Sequence, residues 1–135
     1  ETLARRLWPG PLTLIVLAGS RAPGPVTAQG SIALRPAADP VSSRLLEAWG
    51  RALFSTSANR RGDLPPTRVE DAVRRLADAP DADAIALALA APGPKEKTPL
   101  GKSSTIVDVR GGGARIARAG ALETERLRAI LPHIR

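Results

Sequence analysis

Apolar residues fall in short blocks along the chain, and the spacing inside the blocks changes from helical to extended and back. Leu3, Leu7 and Trp8 are spaced to share one face of a helix, although no capping residue precedes them. Pro9, Gly10 and Pro11 end that helix, because proline lacks the amide hydrogen a helix interior needs. The apolar run at 12–17 (LTLIVL) reads as a buried strand. Residues 21–30, rich in Gly, Pro and Ala, read as a loop, and residues 31–35 (SIALR) as a short strand stopped by Pro36.

A helix opens at Asp39 and Pro40, since aspartate caps the free amides and proline suits the first helical position. Val41, Leu45, Ala48 and Trp49 form its apolar face, and Gly50 stops it. Residues 52–55 (ALFS) read as a strand running into the polar turn 56–59 (TSAN). Thr67 and Glu70 make a capping box for a helix whose stripe is Val69, Ala72, Val73 and Leu76 and whose end falls near Ala79. The run 84–90 (AIALALA) has the length of a strand, and 92–102 reads as a loop. The segments 104–109 (STIVDV) and 115–118 (RIAR) are strands joined through Gly111, Gly112 and Gly113, and 122–131 closes the chain as a helix. Interleaved strands and helices predict an α/β fold. The link from Val109 to Arg115 is too short for a helical crossover, so that pair must be antiparallel and the sheet mixed.

At 135 residues the chain fits one domain spanning 1–135 and can bury a core without staples. It has no cysteine, which excludes a disulfide scaffold, a thiolate zinc site and a cysteine nucleophile, and fits a reducing, cytoplasmic setting. No apolar run reaches the roughly 18 residues of a membrane span, and no secretory signal is visible. The net charge of +7 favours anionic partners such as nucleotides or RNA. Of the 20 basic residues 17 are arginines, a bias that base composition alone can produce, so the charge discriminates weakly.

His133, three residues from the end, is the only histidine, which leaves a Ser-His-Asp mechanism implausible. No His, Asp or Glu pair has convincing metal-ligand spacing. Gly101, Lys102 and Ser103 resemble the end of a P-loop, but Glu96 stands where its first glycine belongs and the segment leads into a strand instead of a helix. It reads as a lysine-bearing loop able to cover an anionic ligand. Residues 55–59 (STSAN) end an apolar strand with four hydrogen-bonding side chains, an arrangement that either holds an anion or satisfies its own turn. Ser103, Ser104 and Thr105 repeat this character, and Arg35 and Arg118 each end a strand. Two hydroxyl clusters and two guanidiniums at strand ends suit a phosphate and a carboxylate.

Residues 8–14 (WPGPLTL), 31–36 (SIALRP), 55–62 (STSANRRG), 104–108 (STIVD) and 118–120 (RAG) occur in this order, and as a set they resemble the YrdC-like family of threonylcarbamoyl-AMP synthases over nearly the whole chain. The resemblance implies a twisted mixed α/β sheet with flanking helices around a basic concave cavity. It implies an enzyme, a nucleotidyltransferase, that makes threonylcarbamoyl-AMP and pyrophosphate from L-threonine, bicarbonate and ATP, with Mg²⁺, for the threonylcarbamoyladenosine modification of tRNA. Implied macromolecular partners are tRNA or double-stranded RNA and downstream tRNA-modifying proteins.

Position by position, the resemblance implies that Arg35, Ser55 and Ser104 contact threonine, Arg35 through its carboxylate. Ser31, Ser57 and Arg118 would contact the nucleotide, and Asn59 would brace its loop or reach the phosphates. Trp8 through Thr13 would shape the wall. No residue is implied as a covalent catalyst, since positioning two anions and offsetting their charge is the task. Pro65 stands where a small polar nucleotide contact is expected, and 89–102 is longer and richer in lysine than the usual glycine-rich stretch. The family's N-terminal K-x-R segment does not precede Glu1, so the expectation is the C-terminal two-thirds of the domain. Two other readings stand beside the enzyme: a catalytically incomplete module that binds RNA or nucleotide, and part of a larger carbamoyltransferase maturation protein.

Overall fold

The computed structural model describes residues 1–22, 24, 28–59, 62–66, 68–77, 88–89 and 102–135. Contacts divide the chain into two units, one of Glu1–Ser43 with Lys102–Arg135 and one of Arg44–Gly101. The elements in chain order are α1 (Thr2–Leu7), β1 (Leu12–Leu17), β2 (Ser31–Leu34), α2 (Pro40–Trp49), α3 (Val69–Ala77), β3 (Thr105–Asp108), β4 (Arg115–Arg118) and α4 (Thr124–Ile130).

The first unit holds a four-stranded sheet in the order β2-β1-β3-β4. β1 runs antiparallel to β2 and parallel to β3, and β3 runs antiparallel to β4. The mixed sheet and its antiparallel β3–β4 pair are as the short glycine link predicts. Along β1, Leu12 and Leu14 are buried on one face; along β3, Thr105 and Val107 are. Leu3 and Leu7 of α1, together with Leu122, Leu127 and Ile134, complete the core on that face. Trp8 packs against the same core as Leu3 and Leu7 but lies just past the end of α1. Its backbone turns extended, and its indole N–H donates to the Leu12 carbonyl at 2.8 Å. Gly10 is needed there, since a Cβ would stand 2.5 Å from the Leu7 carbonyl oxygen.

Local signals account for the ends of α2. The Asp39 carboxylate accepts the Ser42 amide at 2.8 Å at the start of α2, and Gly50, at φ 69°, donates to the Leu46 carbonyl at its end. Burial raises the Asp39 carboxyl, but the hydrogen bonds around Ser42 outweigh it and leave the group below its ordinary value. In the second unit, α3 carries Glu70 and Asp71 in its first turn and Arg74 and Arg75 in its last, which complements the helix dipole.

Three sequence expectations need correction. Residues 52–55 form no strand: they carry no ladder among the described residues, and Phe54 is 67% exposed. A strand requires a hydrogen-bonded neighbour, and a short run with three apolar residues cannot supply one itself. β2 ends at Leu34, one residue short of Arg35. The last helix starts at Thr124, not at Leu122, because the Leu122 backbone is taken by Thr105. Thr67 of the capping box lies outside the described residues. So do 84–90 apart from 88–89, 92–102 apart from Lys102, and the Glu96 and Gly101 positions of the P-loop comparison.

Candidate substrate site

The register of the sheet brings several proposed contacts to one end of one face. Thr13 lies opposite Ile106, and Ile106 lies opposite Arg118. Leu14 pairs with Leu34, the last residue of β2, and the exposed Arg35 follows it directly. Residues directly opposite in a ladder share a face, and so do residues two apart on a strand. Thr13, Arg118 and Ser104, which is two residues before Ile106, therefore belong to the face that turns away from the core leucines.

Ser104 is the centre of this group. Its hydroxyl shares a hydrogen bond of 2.8 Å with the Thr13 hydroxyl. The Arg118 guanidinium donates to the Ser104 carbonyl at 2.8 Å and stands 3.5 Å from the Ser104 hydroxyl. Behind Ser104 the chain is packed backbone to backbone. Ala121 donates to the Ser103 carbonyl at 2.8 Å, and a Cβ on Gly120 would lie 2.5 Å from the Ser104 carbonyl carbon and 2.6 Å from its oxygen. The Arg-Ala-Gly motif thus has a physical basis: the arginine holds the Ser104 carbonyl and the glycine permits the approach. Next to it, Thr105 is wholly buried; its hydroxyl donates to the Leu122 carbonyl at 2.7 Å and accepts the Leu122 amide at 3.1 Å.

Ser31 lies on the same face but at the other end, opposite Leu17. It is four residues from Arg35, roughly 13 Å along an extended strand. Ser31 is 8% exposed, and its hydroxyl donates to the Ala28 carbonyl at 2.6 Å, across a tight turn in which Gln29 and Gly30 both have positive φ. A hydroxyl that donates can still accept from a ligand.

Ser55, Ser57 and Asn59 belong to the second unit. Ser55 and Ser57 are exposed. The Asn59 side-chain amide donates to the Asp63 carbonyl at 2.9 Å, and its backbone amide to the Ser57 carbonyl at 2.9 Å, so Asn59 closes its own loop. Pro65, also in this unit, offers no amide hydrogen.

Two residues do more than the sequence assigned them: Thr13, expected only as part of the wall, and Asp108. Thr13 was visible as the one polar side chain in the run 12–17, on the strand face opposite Leu12 and Leu14. Asp108 was visible only as the last letter of STIVD. Its carboxylate accepts the Arg110 side chain at 2.9 and 2.7 Å and the Arg110 amide at 3.1 Å, with Arg115 at 3.6 Å. The Arg110 side chain, then its amide, hold the Asp108 carboxyl well below the usual carboxylate range. These groups line an open hollow of about 340 Å³ with Leu17 and Arg135, at the end of the sheet remote from Ser104. Bound to each other in this way, they brace the β3–β4 turn. Among the described residues, no group of three or more His, Cys, Asp or Glu is placed to hold a metal ion. No helix among them is long and apolar enough to cross a membrane.

Comparison with known proteins agrees with this architecture. A family model described as Sua5/YciO/YrdC, telomere recombination, matches residues 1–120. A protein of Mycobacterium tuberculosis named putative threonylcarbamoyl-AMP synthase is 36% identical over 130 residues, covering 96% of this chain and 55% of that protein. The threonylcarbamoyl-AMP synthase of Alkalilimnicola ehrlichii is 42% identical over 93 residues, covering 67% of this chain and 46% of its own. The crystal structure of P. abyssi Sua5 complexed with L-threonine superposes with a TM-score of 0.81 at 26% identity, over 98% of this chain and 37% of that one. The chain spans about half the length of these curated relatives. Sheet order, motif order and a family match that runs from the first residue into the Gly120 turn coincide, and the chain belongs to the Sua5/YciO/YrdC family.

Proposed function

We propose that this chain binds the substrates of threonylcarbamoyl-AMP synthesis, with Arg35, Ser55 and Ser104 on L-threonine and Ser31, Ser57, Asn59 and Arg118 on ATP. The observation that carries the reading is the Arg118–Ser104 hydrogen bond at 2.8 Å, which sets a proposed nucleotide contact against a proposed amino-acid contact. Arg35 directly follows Leu34, the β2 residue paired with Leu14. Guanidiniums suit both anions, because their planar fork matches a carboxylate or a phosphate.

In the proposed reaction the threonine amine adds to bicarbonate and loses water to give a carbamate. A carbamate oxygen then attacks the α-phosphorus of ATP, the bond to the β-phosphate bridge breaks, and pyrophosphate leaves with that oxygen. The carbamate and phosphate both carry negative charge, so fixed cations and oriented hydroxyls lower the cost of bringing them together. The described residues do not fit a resident metal centre, and Mg²⁺ enters this reading only as part of the ATP substrate, on its phosphate oxygens. The product would feed threonylcarbamoyladenosine formation in tRNA.

The test is calorimetry on the 135-residue chain with L-threonine and with ATP, alongside pyrophosphate release in the presence of bicarbonate and Mg²⁺. Expected are binding of both ligands and pyrophosphate that depends on threonine and on bicarbonate. Arg35→Ala should weaken threonine selectively, and Arg118→Ala should weaken ATP. Nucleotide binding without pyrophosphate would favour the non-catalytic binding module, and binding of neither ligand would overturn the proposal.

A further inference from the structure

We propose that Thr13 is a positioning residue, which orients the Ser104 hydroxyl toward the amino-acid substrate. The inference rests on the assignment of Ser104 to the threonine subsite.

Ser104 is held at every point except its hydroxyl. Arg118 fixes its carbonyl, and the Gly120 turn packs against its backbone. A serine side chain still turns about one bond, so its oxygen needs a partner to stay in place. Thr13 supplies it at 2.8 Å, a shorter and stronger contact than the Arg118 nitrogen at 3.5 Å. Thr13 suits this work because the backbone on either side of it is held. Its neighbours Leu12 and Leu14 are buried. The strand entry is pinned by the Trp8 indole on the Leu12 carbonyl and by the Thr105 amide on the Pro11 carbonyl at 2.9 Å. A β-branched side chain is stiff about its first torsion, so a fixed backbone fixes its hydroxyl. A serine hydroxyl has one donor and two acceptor positions. Thr13 occupies one of them and thereby directs the others.

The experiment is a double-mutant cycle on the 135-residue chain, read by calorimetry with L-threonine and, separately, with ATP. Thr13→Val removes the hydroxyl at nearly constant shape, and Thr13→Ser retains it. Thr13→Val should weaken threonine on the order of three- to tenfold, the loss of one oriented hydrogen bond, and change ATP affinity less than twofold. Thr13→Ser should restore threonine affinity to within about twofold. In a Ser104→Ala background, Thr13→Val should cause no further loss, since there is no longer a hydroxyl to orient. Thr13→Ala takes the place of Thr13→Val if the latter fails to fold. An unchanged threonine affinity, an equal loss for both ligands, or additive losses in the cycle would overturn the role of Thr13 and leave the substrate assignment standing. Absence of threonine binding by the unaltered chain would overturn both.

Discussion

At position 120 no side chain fits. The Ser103–Ser104 backbone fills the space a Cβ would take, so Gly120→Ala must move β3, the turn before α4, or both. We expect a loss of about 1–3 kcal/mol, the usual cost of overpacking, seen as a lower urea midpoint. Gly113→Ala meets nothing within 4 Å and should leave the midpoint nearly unchanged. The two glycines look alike in sequence, and only the neighbouring strand separates them. The same holds for hydroxyls. Ser55, Ser57, Ser31 and Ser104 read as one class of small polar residue at strand ends. The structure gives Ser104 to Thr13 and Arg118, gives Ser31 to a turn carbonyl, and leaves Ser55 and Ser57 exposed.

Among elements, α2 depends on local signals, because none of its residues is buried. Asp39→Ala removes the bond to the Ser42 amide and should cost about 1 kcal/mol, measured as lost helical circular dichroism on warming. β3 is the opposite case. Thr105→Val strands both the amide and the carbonyl of buried Leu122. With each buried unpaired group costing about 1–3 kcal/mol, a loss of about 2–6 kcal/mol is expected, while Thr105→Ser should recover most of it in the same urea titration. Elements whose signal is local were legible in the sequence: α2 from Asp39, Pro40 and Gly50, and β1 from its apolar run after two prolines. Residues 52–55 were misread because their composition is that of a strand, and composition does not provide a ladder neighbour. The start of α4 at Thr124, past Leu122, was not legible, because the Thr105 hydroxyl that takes the Leu122 backbone is 17 residues away.

For the whole molecule, acid stability follows from the carboxylates that the fold engages. Asp108 and Asp39 both titrate below the ordinary value of 3.8. The unfolded chain therefore takes up protons first as pH falls. Their contribution is fully present above the unfolded value, near 3.8, and is lost as pH drops through the folded values. Urea midpoints measured from pH 7 down to 3 should fall below pH 4, and Asp108→Asn should flatten that fall. An identical slope in the variant would refute the Asp108 part. The sequence by itself determined the start and stop of α2, the apolar runs, the antiparallel β3–β4 pair and the order of motifs, because each rests on interactions between residues close along the chain. Only tertiary structure decided that Thr13 and Ser104, 91 residues apart, share a hydrogen bond, and that Arg118 holds the same serine. Strand register sets those meetings, and register is fixed by the burial of leucines and the closing of backbone hydrogen bonds across the sheet, which no local stretch of sequence contains.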